Sequence, residues 1–262
     1  QLKIKRSYVY FTVLILLSLS CFFILPNQAG RIIGTLGESN SLAVAVNFIF
    51  LVALYLTPVK NKLVTFFVFI TALTIVLLSQ SVSGILAFLI QLLLIFLVKK
   101  VKISVLLSIC VCLFIIIPAL VYPFFEKPKF YEDRAKIWTV CLKAGLQKPL
   151  FGHGFGNTDK AMDVFSRQNN NILNFQKVDS CHNLFLDWWL TGGITGLILI
   201  TVLIITSFYR LAVSGNLIYT SLLMGIVTAS LFNPLNINGQ LFLWYLLGQG
   251  FLRTTLHLTP SY

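Results

Sequence analysis

The chain has 262 residues, 57% of them hydrophobic and 11% charged, with a mean hydropathy of +0.88. An average soluble domain carries roughly 25% charged residues, so this composition excludes a disordered chain, a collagen-like fibre, a small disulfide scaffold and an ordinary water-soluble enzyme. The net charge of +12 does not mark a nucleic-acid surface. The basic residues are scattered between long apolar runs and read as loop markers of a multi-spanning membrane protein.

A spanning helix needs about 20 mostly apolar residues. The runs here lack a barrel's alternation, so helices are predicted. In chain order they are Tyr8–Leu25, Asn40–Thr57, Leu63–Ser79, Gly84–Val98, Ile103–Phe125, Leu184–Tyr209, Leu217–Phe232 and Gln240–Leu252. Tyr8–Leu25 has no small-residue cleavage site and is followed by more spans, so it is not read as a cleavable signal. The expected fold is all-α: a polytopic integral membrane protein of about eight transmembrane helices. Residues 1–125 hold the first five spans, 126–183 a large outer loop, and 184–262 the last three.

Short-loop charge sets the direction. Lys3, Lys5, Arg6, Lys60, Lys62, Lys99, Lys100, Lys102, Arg210 and Arg253 fall on one side, and only Arg31 in the short loops of the other. Both termini are therefore expected in the cytoplasm, and Glu126–Cys181 in the periplasm or at the outer face. A polar stretch this long between spans is usually functional. Within it, Tyr131–Gln147 is predicted as an amphipathic helix. Ala135, Trp138, Leu142 and Gly145 fall at helical spacing beside Ile137 and Cys141, Glu132 pairs with Lys136, and Lys148-Pro149 ends the run. Asp159–Asn171 is predicted as a second, more polar helix, and Trp188-Trp189 as an interfacial anchor of the sixth span.

Several outward-facing positions are candidates for chemistry. Arg31 through Asn40 is a glycine-flexed loop with one Arg and one acid, ending in a plausible helix cap, or a plain turn whose Arg meets lipid headgroups or Glu38. Arg134, on the outer helix, offers a planar fork suited to phosphate, or forms a solvated face beside Glu132 or Asp133. Gly152, Gly154 and Gly156 can expose backbone amides in a turn that holds an anion. His182, directly before the sixth span, is suited to take a proton near neutral pH, or is a helix-capping or interfacial residue. His153 reads as structural, and His257 as irrelevant at the cytoplasmic end. Asp187, one turn past Asn183, is an intramembrane acid or a hydrated interfacial one. Ser81-Val82-Ser83-Gly84 reads as a cap or a site of close packing. Neither a zinc spacing nor a magnesium-binding acidic cluster is present, so no metal or cofactor is expected. Cys21, Cys110 and Cys112 lie in apolar spans. Cys141 and Cys181 are both outside, where pairing is open to them but not required by the spacing.

Taken together, Gly152-His-Gly-Phe-Gly-Asn157 and Cys181-His-Asn183 leading to Gly192-Gly-Ile-Thr-Gly-Leu197 resemble the core signature of the O-antigen ligase and polymerase superfamily. The helix around Arg134–Trp138, the Lys148–Gly152 segment and the Arg31–Asn40 loop are similar too, so the resemblance covers most of the chain. It implies a GT-C-type glycosyltransferase of the bacterial inner membrane, acting at the periplasmic face in lipopolysaccharide biosynthesis. The donor it implies is a glycan on polyprenyl (undecaprenyl) diphosphate. The acceptor is a sugar of lipid A–core for a ligase, or another lipid-linked glycan for a polymerase. Carried over by position, His182 is the general base. Arg134 and Arg31, with the Gly154 and Gly156 amides, hold the diphosphate, and Asn183 and Asp187 support the site. A single base and a good leaving group imply metal-independent, inverting transfer. The turn and His182-Asn183 favour a ligase over a polymerase. A non-enzymatic transporter of lipid-linked glycan is the further alternative, but the polar residues gather outside rather than at mid-bilayer. The chain departs from the family where a Ser-Arg pair is common and Ser81-Val82-Ser83-Gly84 stands instead. Members also have further spans ahead of the first one here, so the resemblance implies a C-terminal part of a longer protein or a shortened member.

Overall fold

The longest apolar run, from Leu184, becomes the longest of the described helices. The computed structural model describes residues 31–33, 38–56, 62–97, 128–174, 178–234 and 237–256. Over these it is all-helical: α1 Ser39–Leu56, α2 Lys62–Leu78, α3 Val82–Leu97, α4 Pro128–Gly145, α5 Thr158–Gln168, α6 Leu184–Val213, α7 Leu217–Ser230 and α8 Ile237–Leu256. The expected spans Tyr8–Leu25 and Ile103–Phe125, most of the short-loop charges, and Cys21, Cys110, Cys112 and His257 lie outside the described residues. Of the described helices, α6 is long and apolar enough to cross a membrane. Ser39–Leu54, Thr65–Leu78, Val82–Ile95 and Leu217–Ser230 are apolar but shorter.

The chain divides into two units. Residues 1–102 and 215–229 form one, and 103–214 and 230–262 the other. In the first, α1, α2 and α3 bury Leu42, Val46, Phe50, Val68, Ile75, Leu86, Ile90 and Leu94. Phe50 lies 5.0 Å from Phe88, and Phe69 6.0 Å from Phe88. A Cβ on Gly84 would stand 2.3 Å from the Ala43 Cβ, so α1 and α3 approach through small residues. Asn47 Nδ2 donates to the Gly84 carbonyl across this contact at 2.9 Å. The sequence reading of Ser81–Gly84 as a cap and close-packing site holds: the Gly84 amide donates to Ser81 Oγ at 3.2 Å. α2 leaves Phe66, Phe67, Ile70 and Leu77 exposed.

In the second unit, α4 and α5 close a small core of Ile137, Val140, Cys141, Ala144, Ala161, Met162, Phe165, Leu173, Cys181 and Leu190. This corrects the expected face of α4 in part. Ala135 and Leu142 are exposed, whereas Ile137, Cys141 and Gly145 are buried and Trp138 packs on the core as expected, with Val140 and Ala144 completing the stripe. The cause is α4's fixture to α6: Cys141 is bonded to Cys181, and the Trp189 ring lies where a Gly145 Cβ would be. The pairing that the spacing left open is therefore made. α6 buries Ile200, Ile204, Phe208 and Leu211 and exposes Ile198, Leu199, Val202 and Ile205. Its inner face meets α8, where Ser207 Oγ donates to the Leu247 carbonyl at 3.0 Å and Gly250 leaves room for Ser207.

Candidate active site

α6 starts on a strong cap. The Asn183 side-chain oxygen accepts from the Phe185 and Leu186 amides at 3.0 and 3.1 Å, satisfying two donors that a helix N-terminus leaves open. The helix-capping alternative read for His182 thus belongs to its neighbour. His182 itself has φ of 54°, uncommon for a residue with a side chain. The turn is pinned on both sides. The Cys181 amide donates to Asp187 Oδ1 at 2.7 Å, the His182 amide donates to Ser180 Oγ at 3.2 Å, and Cys181 is covalently tied to α4. Asn183 and Asp187 therefore shape the backbone on which the imidazole is mounted.

Arg134 lies two helical turns before Cys141 on α4. Its Nη1 donates to the Phe232 carbonyl, and its Nη2 to Asn233 Oδ1 at 3.0 Å. Asn183 Nδ2 donates to the Leu231 carbonyl at 3.0 Å. Three consecutive residues, Leu231–Asn233, thus receive hydrogen bonds from the Arg134 helix and from the residue after His182. Sequence reasoning gave this link no role.

The glycine turn has a structural task. Gly193 breaks α6 with φ of 62° and ψ of −156°, and the segment 149–154 fills the break. The Ile194 and Thr195 amides donate to the Pro149 and Leu150 carbonyls at 2.8 and 3.4 Å. In the other direction, the His153 and Gly154 amides donate to the Leu190 and Thr191 carbonyls, both at 2.9 Å. A Cβ on Gly152 would stand 2.4 Å from the Thr191 carbonyl carbon, and one on Gly193 2.6 Å from that of Leu150. The Gly154 amide is thereby directed into the fold. His153 Nε2 lies 2.9 Å from the Ala144 carbonyl, in keeping with its structural reading.

Beside this dock opens a cavity of about 550 Å3. Phe155, Trp188 and Trp244 form an aromatic wall, Asp179 and Asp187 supply carboxylates, and Ser180, Thr191, Asn233 and Gln240 add polar groups. Gly156 is also in the lining, as are Ser180 and Leu184 on either side of His182 and Asn233 beneath Arg134. Neither His182 nor Arg134 itself forms the wall. Among the described residues no cluster of three or more His, Cys, Asp or Glu is placed to hold a metal ion.

In the first unit, Arg31 Nε donates to the Ser79 carbonyl at 3.0 Å and Nη2 to Asn40 Oδ1 at 3.1 Å. Ser81 Oγ donates to the same Asn40 oxygen at 2.8 Å, and Ser41 Oγ to Glu38 at 2.7 Å. Half-burial lowers the Arg31 pKa from its ordinary value, and the negative charge of Glu38 works the other way. The Arg is built into a polar node to which Glu38 belongs, which is the turn reading of this loop.

Residues 67–201 match the family model described as O-antigen ligase. The chain belongs to the O-antigen ligase family. No individual curated protein matches it. The matched stretch includes Arg134, the glycine turn, the disulfide and His182; Arg31 precedes it. The family's enzymes are glycosyltransferase-like proteins of the bacterial inner membrane that handle lipid-linked glycans. Sequence reasoning about this O-antigen ligase family member named Gly156 and Asp187, which line the cavity, but did not foresee the cavity itself. Its aromatic and acidic members come from stretches around 155, 179–191 and 240–244, and a Trp read as a membrane anchor gave no sign of lining a site.

Proposed function

We propose that the chain is a polytopic inner-membrane glycosyltransferase that moves a glycan from a polyprenyl diphosphate carrier to an acceptor sugar hydroxyl, as an O-antigen ligase acting on lipid A–core. The periplasmic segment 126–183 supplies the chemistry, and the spans of 1–125 and 184–262 hold it at the outer face. The observation that carries the reading is the meeting at Leu231–Asn233. There the Arg134 helix and the His182 turn are tied to one short link and to each other by Cys141–Cys181, all within or beside the family match. The excess of Lys and Arg in the opposite loops supports the sidedness.

In this mechanism His182 accepts the proton of the acceptor hydroxyl. The acceptor oxygen bonds to the anomeric carbon as that carbon's bond to the phosphate oxygen breaks, so the configuration inverts. Polyprenyl diphosphate leaves with the electron pair, and Arg134 neutralises the charge it develops. Asn183 and Asp187 hold the His182 turn in place.

The test is reconstitution with lipid-linked glycan and lipid A–core. His182→Ala should lower transfer at least 1,000-fold, about 4 kcal/mol of transition-state stabilisation, with membrane insertion intact; full activity removes His182 from the mechanism. Arg134→Lys should lose at least tenfold, because a point charge does not replace a bidentate fork. If Lys serves as well as Arg, charge alone suffices. In a deletion strain, long polymer left on the carrier lipid supports ligation, and core capped with a single repeat indicates a polymerase instead.

A further inference from the structure

The cavity in the second unit has a composition that selects its occupant. Among the described residues its ionisable lining is Asp179 and Asp187, with no Lys or Arg. A diphosphate would meet two carboxylates there, with no described cation in the wall to offset them. A lipid tail fits no better, because carboxylates and hydroxyls pressed against hydrocarbon lose their hydration without compensation. The aromatic members point to a third class. Phe155 stands edge-on to Trp188 at 5.3 Å, and Trp188 edge-on to Trp244 at 6.1 Å. Phe155 is 71% exposed and Trp244 46% exposed, so these rings keep faces that the described residues leave open. An aromatic face carries partial negative charge, and the C–H face of a pyranose packs on it while the sugar's hydroxyl edge turns toward carboxylates and amides. The cavity's volume, about 550 Å3, lies within the roughly 300–1,000 Å3 of small-molecule sites.

We propose that this cavity is a subsite for a neutral or amino-bearing pyranose and that it excludes acidic sugars. The proposal rests on the glycan-transfer reading for its biological setting, but its geometry stands apart from His182 and Arg134. The sugar comes either from the acceptor terminus or from the first residue of the carrier-linked glycan. Both present the same chemistry to these walls.

The purified full chain in lipid nanodiscs is titrated with chitotriose, a glucosamine trimer and trigalacturonate, with binding followed by saturation-transfer NMR. Chitotriose and the glucosamine trimer should bind, and trigalacturonate at least tenfold more weakly. Trp244→Ala should weaken the first two at least tenfold, and Trp244→Phe should restore binding to within threefold of the parent. Asp179→Asn should narrow the preference for the glucosamine trimer over trigalacturonate at least fivefold. Both positions are exposed, so loss of folding is not expected from either change. In the transfer assay, a KM raised by Trp244→Ala for donor alone or acceptor alone supports the proposal and names the source of the sugar. Trigalacturonate binding as well as chitotriose, no binding of any trimer, or indifference of both binding and KM to Trp244→Ala overturns it. Wild-type chain that binds chitotriose yet transfers nothing overturns the transferase reading and leaves the subsite standing. Normal transfer with binding insensitive to Trp244 does the reverse.

Discussion

The two arginine-bearing regions are held differently. Around Arg31, most contacts run through side chains: guanidinium to Asn40, Ser81 hydroxyl to Asn40, Ser41 hydroxyl to Glu38. Around His182, side-chain bonds from Ser180, Asn183 and Asp187 are joined by backbone and covalent ones: a broken helix filled by the 149–154 segment, and a disulfide from α4. Side-chain nodes tolerate loss of a member because their neighbours rearrange. Two backbones in direct contact leave no such freedom. This contrast explains why the second region carries a glycine signature and the first carries only a loose polar one.

The contrast predicts a graded set of effects. Gly193→Val places a β-branched residue at a positive φ and drives its Cβ into the Leu150 carbonyl. We expect a cost of about 3 kcal/mol or more, with the 149–154 segment open to protease and transfer reduced over 100-fold. A variant as resistant as the parent would end the claim that the dock is rigid. Cys181→Ser removes the closure of a 40-residue separation, and should lower stability by roughly 2–4 kcal/mol, seen as a lower melting temperature in detergent. A reductant should reproduce this in the parent and add nothing in the variant. Ser81→Ala should cost about 1 kcal/mol and change transfer less than tenfold. A larger loss than that of Cys181→Ser would reverse the ranking of the two regions.

The helices were legible because apolar runs of this length have few alternatives. α1, α2 and α3 begin within two residues of the expected starts. What local pattern does not encode is contact at a distance. α4's spacing suggested a face through Leu142, but a disulfide partner 40 residues away turned it. α8 starts three residues earlier than its apolar run. His182, Asn183 and Asp187 were visible as polar residues against an apolar background, whereas Asn183's capping role and the Leu231–Asn233 link depend on elements far apart in the chain. The glycine turn was visible as a motif, but its reading as an anion nest missed that the Gly154 amide faces Thr191.

On the proposed spanning reading, the break at Gly193 also marks a depth. Beyond it, Ile194–Tyr209, up to the basic Arg210, measures about 24 Å at 1.5 Å per residue, most of a bilayer's oily interior. On that reading the short stub before it, Leu184–Gly192, carries Asp187 and Trp188 to the waterline. One backbone angle would then act as a float mark, keeping a carboxylate wet while the apolar stretch up to Tyr209 stays submerged.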